Sequence, residues 1–131
     1  MAYRGKSDSR LLLINIGGQT VGVYYRSPTA SEYISYHEEK IQLKGRRIEH
    51  NLPETNIKYG LKVITGIQKG DLEYKKDGEW VPLDTDAMPE AEWRVILRRD
   101  FFEIVDFVGA KVFNPVEETA SEEDGYDEKN S

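Results

Sequence analysis

The chain has 131 residues, no cysteine and a formal net charge of −6, from 18 basic and 24 acidic side chains. One domain of this size buries about two thirds of its unfolded surface, enough for a single core without staples, and the lack of cysteine excludes disulfides and thiolate metal sites. No apolar run nears the ~20 residues of a bilayer span or forms a signal-peptide core, so a cytoplasmic location is expected.

Residues 1–10 are polar and read as a flexible N-terminus. Leu11 to Arg26 read as a β-hairpin. With Gly18-Gln19 as its two-residue turn, Ile16 opposes Val21, Ile14 opposes Val23 and Leu12 opposes Tyr25, all on one face. Gly17-Gly18 is the competing turn, with the same face and fewer apolar pairs. Ser27-Pro28-Thr29-Ala30-Ser31-Glu32 then starts a helix, with Thr29 as cap and Glu32 closing a capping box. Ala30, Tyr33, Ile34, His37 and Ile41 fall on one face of it, and Gly45 ends or loosens it.

Asn51-Leu52-Pro53-Glu54 starts a second helix, with Ile57, Leu61, Ile64 and Ile67 along one face and Gly66 and Gly70 at its exit. Gly60 sits inside it at a cost of about 1 kcal/mol relative to alanine, which points to close backbone packing. Leu72 to Leu83 form a second hairpin about an Asp77-Gly78 type I′ turn. Tyr74 opposes Val81 and Leu72 opposes Leu83 on one face, while Lys75 opposes Trp80 on the other. Pro82 cannot donate to a ladder and marks an edge.

The longest predicted element runs from about Pro89 to Val108, with Gly109 as its stop. Trp93, Ile96, Leu97, Phe101, Ile104, Val105 and Val108 make one apolar stripe; Arg94, Arg98, Arg99, Glu103 and Asp106 lie opposite. Val95, Phe102 and Phe107 fall outside the stripe and widen the apolar face beyond what one small sheet covers. Such excess marks either a second packing partner or cover by the N-terminal hairpin. On the first reading Val95, Phe102 and Phe107 are the protein-binding residues.

From Asn114 the composition turns polar and acidic, with seven acids and one base, and cannot offset the entropy of ordering. The body before it is neutral, with 17 residues of each sign. That balance argues against general nucleic-acid binding. The expected organisation is a single α+β domain over 11–113 and a disordered acidic tail over 114–131. Two β-hairpins form a small antiparallel sheet, packed with about three helices.

Candidate chemistry is sparse. His37 falls on the predicted buried side of the first helix, as a hydrogen-bonded structural histidine does, and His50 sits in an exposed charged stretch. Two scattered histidines do not make a zinc or iron site. Asp84, Asp86 and Glu90 could be hard-metal ligands, but acids ahead of a helix answer to capping and dipole. Gly17-Gly18 leads into a strand rather than a phosphate-binding helix, and no Gly-x-Ser-x-Gly elbow occurs. Lys40, Lys44, Arg46 and Arg47, after Tyr33 and Tyr36, have the basic-aromatic mixture of single-strand binders. The same bases also complement a helix C-terminus. The reading is therefore no enzyme, no catalytic residues, no cofactor and no metal.

Two segments carry a family resemblance. Val23-Tyr24-Tyr25-Arg26-Ser27-Pro28-Thr29-Ala30-Ser31-Glu32 and Lys58-Tyr59-Gly60-Leu61-Lys62-Val63-Ile64-Thr65-Gly66-Ile67 resemble small proteins encoded among phage and prophage tail genes, tail assembly chaperones in particular. The likeness spans Leu11 to Ile67. It implies a non-enzymatic helper that binds tape-measure and tail-tube proteins before assembly, located in the host cytoplasm, with no catalytic residues to transfer. A protein-binding or assembly role, with homo-oligomers as one form, is thus the leading expectation. The alternative is a small inhibitor or regulator whose acidic C-terminus occupies a basic site on a host protein.

Overall fold

The computed structural model describes residues 9–44, 47–50 and 52–114, with 42–44 and 47–50 by backbone alone. Strands β1 (Arg10–Ile16) and β2 (Gln19–Tyr25) precede α1 (Ala30–Glu39), β3 (Ile41–Lys44) and β4 (Arg47–His50). Next come α2 (Leu52–Val63), β5 (Ile64–Ile67), β6 (Glu73–Lys76), β7 (Glu79–Pro82), α3 (Glu90–Asp100) and α4 (Phe102–Phe113). The class is α+β, as expected. The hairpins do not share a sheet, however. β1-β2-β5 form one antiparallel sheet, while β3-β4 and β6-β7 stand as separate two-stranded ribbons.

Turn chemistry sets both predicted hairpins. β1 and β2 pair through Ile16↔Gln19, Ile14↔Val21 and Leu12↔Val23, so the turn is Gly17-Gly18, the competitor of the Gly18-Gln19 register. Both glycines have positive φ, at 55° and 84°, as a type I′ turn demands. Asp77 and Gly78 take the same shape at 53° and 82°. They bring Tyr74 against Val81 and Lys75 against Trp80, and the Leu83 N–H donates to the Leu72 carbonyl at 2.9 Å. Pro82 closes β7, where a missing donor costs nothing.

The α1 start is the capping box read from sequence: Thr29 Oγ1 accepts from the Glu32 N–H and the Glu32 carboxylate accepts from the Thr29 N–H. Arg26 grips that carboxylate with both guanidinium nitrogens, at 2.9 and 2.8 Å. This hydrogen bond, more than any other cause, holds the Glu32 pKa down at about 2. Arg26 also donates from Nη2 to the Lys62 carbonyl and from its backbone N–H to the Val63 carbonyl, and Arg94 Nη1 donates to the Leu61 carbonyl. Two arginines therefore occupy the orphan carbonyls at the end of α2. The helix stops at Val63, and Ile64–Ile67 become a strand.

That stop corrects the predicted second helix. Ile64 and Ile67 are buried in β5, and the buried face of α2 is Thr55, Asn56, Tyr59, Gly60 and Val63, with Ile57 and Leu61 only partly covered. Isoleucines three apart satisfy a helical stripe, yet Ile64, Gly66 and Tyr24–Tyr25 pair across β5 and β2 with a bulge. A like correction applies to α1. Tyr36, not Ile34, is its buried residue, because the Tyr36 ring stacks on Phe113 at 4.6 Å while Ile34 stays exposed. The helix ends at Glu39, with Lys40 as C-cap and Ile41 already in β3.

The long C-terminal element is two helices. Phe101, at φ −132° and ψ 34°, leaves the helical region and separates α3 from α4. No proline or glycine marks the break, and beyond it α4 crosses α2 closely. A Cβ on Gly60 would lie 3.1 Å from Val105 Cγ1 and 3.2 Å from the Gly109 nitrogen. A Cβ on Gly109 would lie 2.8 and 2.9 Å from the Asn56 backbone carbons. Gly60 does mark close packing. Gly109 is no stop; it is the facing half of the same crossing, inside α4. The predicted stripe is otherwise kept: Trp93, Ile96, Leu97, Ile104, Val105 and Val108 are all buried in one core with Ile14, Val21, Val23 and Leu83.

The proposed flexible residues 1–8 and tail residues 115–131 lie outside the described residues, as do the Gly45 stop and the Asn51 cap. Ser9 and Arg10 are placed: Ser9 Oγ is 3.1 Å from Thr65 Oγ1, and Arg10 opens β1.

Candidate protein-docking surface

Strand alternation gives the β1-β2-β5 sheet two faces. Ile14, Val21 and Val23 point to the core, and Ile16 continues that face past its edge, half exposed at the hairpin tip. Leu11, Leu13 and Tyr24 stand on the outer face and stay exposed, Leu13 at 60%. This strand is therefore apolar on both faces. Where the hairpin tip meets the start of α4 the two layers part and leave an open groove of about 880 Å³. Its walls are Leu13, Ile14, Ile16 and Val21 from the hairpin, Leu72, and Phe101, Ile104 and Phe107 from the helices. The polar side chains along it are Asn15, Gln19, Asp100 and Glu103.

The three residues proposed from sequence as a binding set are all exposed: Val95 at 61%, Phe102 at 49% and Phe107 at 41%. Only Phe107 lines the groove, where Lys111 Nζ sits 5.8 Å from its ring centroid. Val95 is on α3 and Phe102 opens α4; neither reaches the groove wall. Nothing in the sequence pattern marks the hairpin residues Leu13 and Ile16 as binding residues. The register sends Ile16 to the buried face, and only the tertiary fold shows that no described helix covers that end.

A second cluster joins α1, α2 and α4. Tyr36 Oη donates to Asn56 Oδ1 at 2.5 Å, Asn56 Nδ2 donates to Asp106 Oδ1 at 2.8 Å, and Asn114 Nδ2 donates to Tyr36 Oη at 3.2 Å. His37 Nε2 donates to the Phe113 carbonyl at 3.0 Å. Beside them Glu39 accepts from Tyr59 Oη at 2.7 Å and Lys58 Nζ at 2.9 Å. The Tyr59 bond is the main reason the Glu39 pKa is lowered, while burial chiefly raises that of Tyr59. Each of these groups is engaged by its neighbours, which is how a buried polar network locks helices together. Asp106 and Arg94, read as solvent-side charges, are instead spent on Asn56 and on the end of α2.

The acids considered as metal ligands have local roles. Asp84 Oδ1 accepts from the Asp86 N–H at 3.0 Å, and Glu90 pairs with Arg94 one turn on. Among the described residues no group of three or more His, Asp or Glu could hold a metal ion. The side chains of His50, Lys44, Arg46 and Arg47 lie outside the described residues; Lys40 sits 5.6 Å from the Tyr36 ring centroid. No helix among the described residues is long and apolar enough to cross a membrane. No protein-family model, curated protein or solved structure matches the chain.

Proposed function

We propose that this chain is a non-enzymatic protein-binding or assembly protein of the cytoplasm, which grips a partner with the side formed by β1 and the start of α4. One observation supports this most: the groove is open and largely apolar, and Leu13, Ile16 and Phe107 remain exposed around it in the folded chain. Contiguous exposed apolar surface with a polar rim is what association surfaces offer. The His37 ring is occupied elsewhere, against Phe113. The resemblance to tail assembly chaperones makes tail-tube and tape-measure proteins the first partners to test.

The test is binding of purified tail-tube and tape-measure proteins encoded in the same genome, measured with the native chain and with Phe107→Ser. Loss of an aromatic anchor should weaken binding by about tenfold or more, with the melting curve little changed because Phe107 is exposed. Equal binding by both forms would reject the surface, and turnover of a small molecule by the purified chain would reject the class.

A further inference from the structure

We propose that the open edge of β1 pairs with β1 of a second copy of this chain, antiparallel about a two-fold axis at Leu13, so that two three-stranded sheets become one. This rests on the docking reading above and names an occupant for it.

The backbone gives the first argument. Ile16↔Gln19 flanks a two-residue turn, so Arg10, Leu12, Ile14 and Ile16 direct their N–H and C=O groups to β2. On β2, Gly22 turns the other way: its carbonyl accepts from Gln68 and its N–H donates to Asp71 Oδ2, each at 2.8 Å. The backbone groups of Leu11, Leu13 and Asn15 therefore face outward. The sheet treats its two edges differently. On β5 the Ile67 N–H is taken by Thr85 Oγ1 at 3.1 Å. On β1 no described strand but β2 pairs. From Leu11 to Ile16 the strand carries no proline, charge or bulge, the usual guards of an exposed edge.

The register follows from overlap. Pairing all seven residues sets Leu13 against Leu13 of the second copy, Leu11 against Asn15, and Leu12 against Ile14. Three hydrogen-bonded pairs then supply about six inter-strand bonds. Side chains agree with this register on both faces: outside, Leu13 meets Leu13 on the axis with Leu11 diagonal to it, and inside, Leu12 meets Ile14.

Charge agrees as well. Arg10 of the second copy falls opposite Ile16, at the groove whose wall includes Asp100 and Glu103. Asp100 already pairs with Arg99, whereas Glu103 makes no ion pair with a described residue. The incoming arginine gives it one.

The chain has no cysteine, so Leu13→Cys places a single thiol on the axis. There the Cα–Cα distance of a hydrogen-bonded pair, about 5.5 Å, fits a disulfide. Mild oxidation of the full chain should give a covalent dimer with Leu13→Cys and none with Val95→Cys, which is equally exposed on α3. Sedimentation of the unaltered chain should show a dimer. Leu13→Lys, which sets like charges face to face, should weaken it at least tenfold while the folded circular dichroism spectrum is kept. Arg10→Glu should also weaken it, and Arg10→Glu with Glu103→Arg should restore it.

A chain monomeric up to about 100 µM, or a dimer indifferent to Leu13→Lys, overturns the proposal. If the chain is monomeric while Phe107-dependent binding of another protein persists, the docking reading stands and only the second copy is wrong. If that binding is absent too, both fail.

Discussion

The α2–α4 crossing and the β1 side of the sheet handle the same problem, apolar surface beside polar backbone, in opposite ways. At the crossing, Gly60 and Gly109 bring two helix backbones into contact, and Tyr36, Asn56 and Asp106 satisfy one another beside them. On the β1 side, leucines stand in solvent and outward backbone groups find no described partner. The contrast separates roles. Among the described residues the crossing is tightly filled and its polar groups are engaged, which suits stability; the edge has room and outward backbone groups with no described partner, which suits association. Changes at the first region should alter unfolding and spare binding, and changes at the second the reverse.

The largest expected effect is at Gly109. Gly109→Leu drives a side chain into the Asn56 backbone and should cost about 3 kcal/mol or more, or prevent folding, as read by urea denaturation. Asn56→Ala comes next. It removes the buried bonds that Asn56 makes to the Tyr36 hydroxyl and to Asp106, for about 2 kcal/mol in the same assay. Equal stability of Asn56→Ala and the native chain would show that the network is ornamental.

Glu32 gives a smaller, pH-dependent effect. Its folded pKa, held at about 2, lies below the ordinary carboxylate value. Its contribution is therefore complete above the unfolded pKa and is lost as pH falls from about 4.5 through 2. The pair is partly solvated, which limits the loss to about 1 kcal/mol. Glu32→Gln should be less stable at neutral pH and should show a shallower decline over that acid range. A parallel decline would assign the acid sensitivity elsewhere.

Smallest of all, Trp80→Ser should change stability by only about 0.5 kcal/mol. Trp80 is 64% exposed on the β6–β7 ribbon, with Lys75 Nζ 5.5 Å from its ring centroid. A loss several times larger in thermal or urea unfolding would make that ribbon part of the core.

Much of this architecture is legible in single residues. Asp77-Gly78 fixes a register outright, because few sequences tolerate two successive positive φ values. Thr29 with Glu32 declares a helix start, and the stripe from Trp93 to Val108 names the residues of the core. What escapes notice depends on partners distant in sequence. Tyr36 and Asn56 break the apolar pattern of their helices, since a polar residue joins a buried face only when another helix supplies its hydrogen bond. The end of α2 is set by Arg26 and Arg94, remote in the chain. Gly109 looks like a stop because a contact glycine and a terminating glycine are the same letter. The groove is a gap between two layers, so Phe107 can be suspected as surplus apolar surface, whereas Leu13 and Ile16 cannot.

Amide hydrogen exchange along β1, followed from dilute to concentrated protein, tests the division of roles most directly. The Leu12 and Ile14 amides should be slow throughout, while those of Leu11, Leu13 and Asn15 should exchange quickly when dilute and slow down as copies meet. Outward amides that stay fast at every concentration, or that are slow even at the lowest, would contradict an edge left open for pairing.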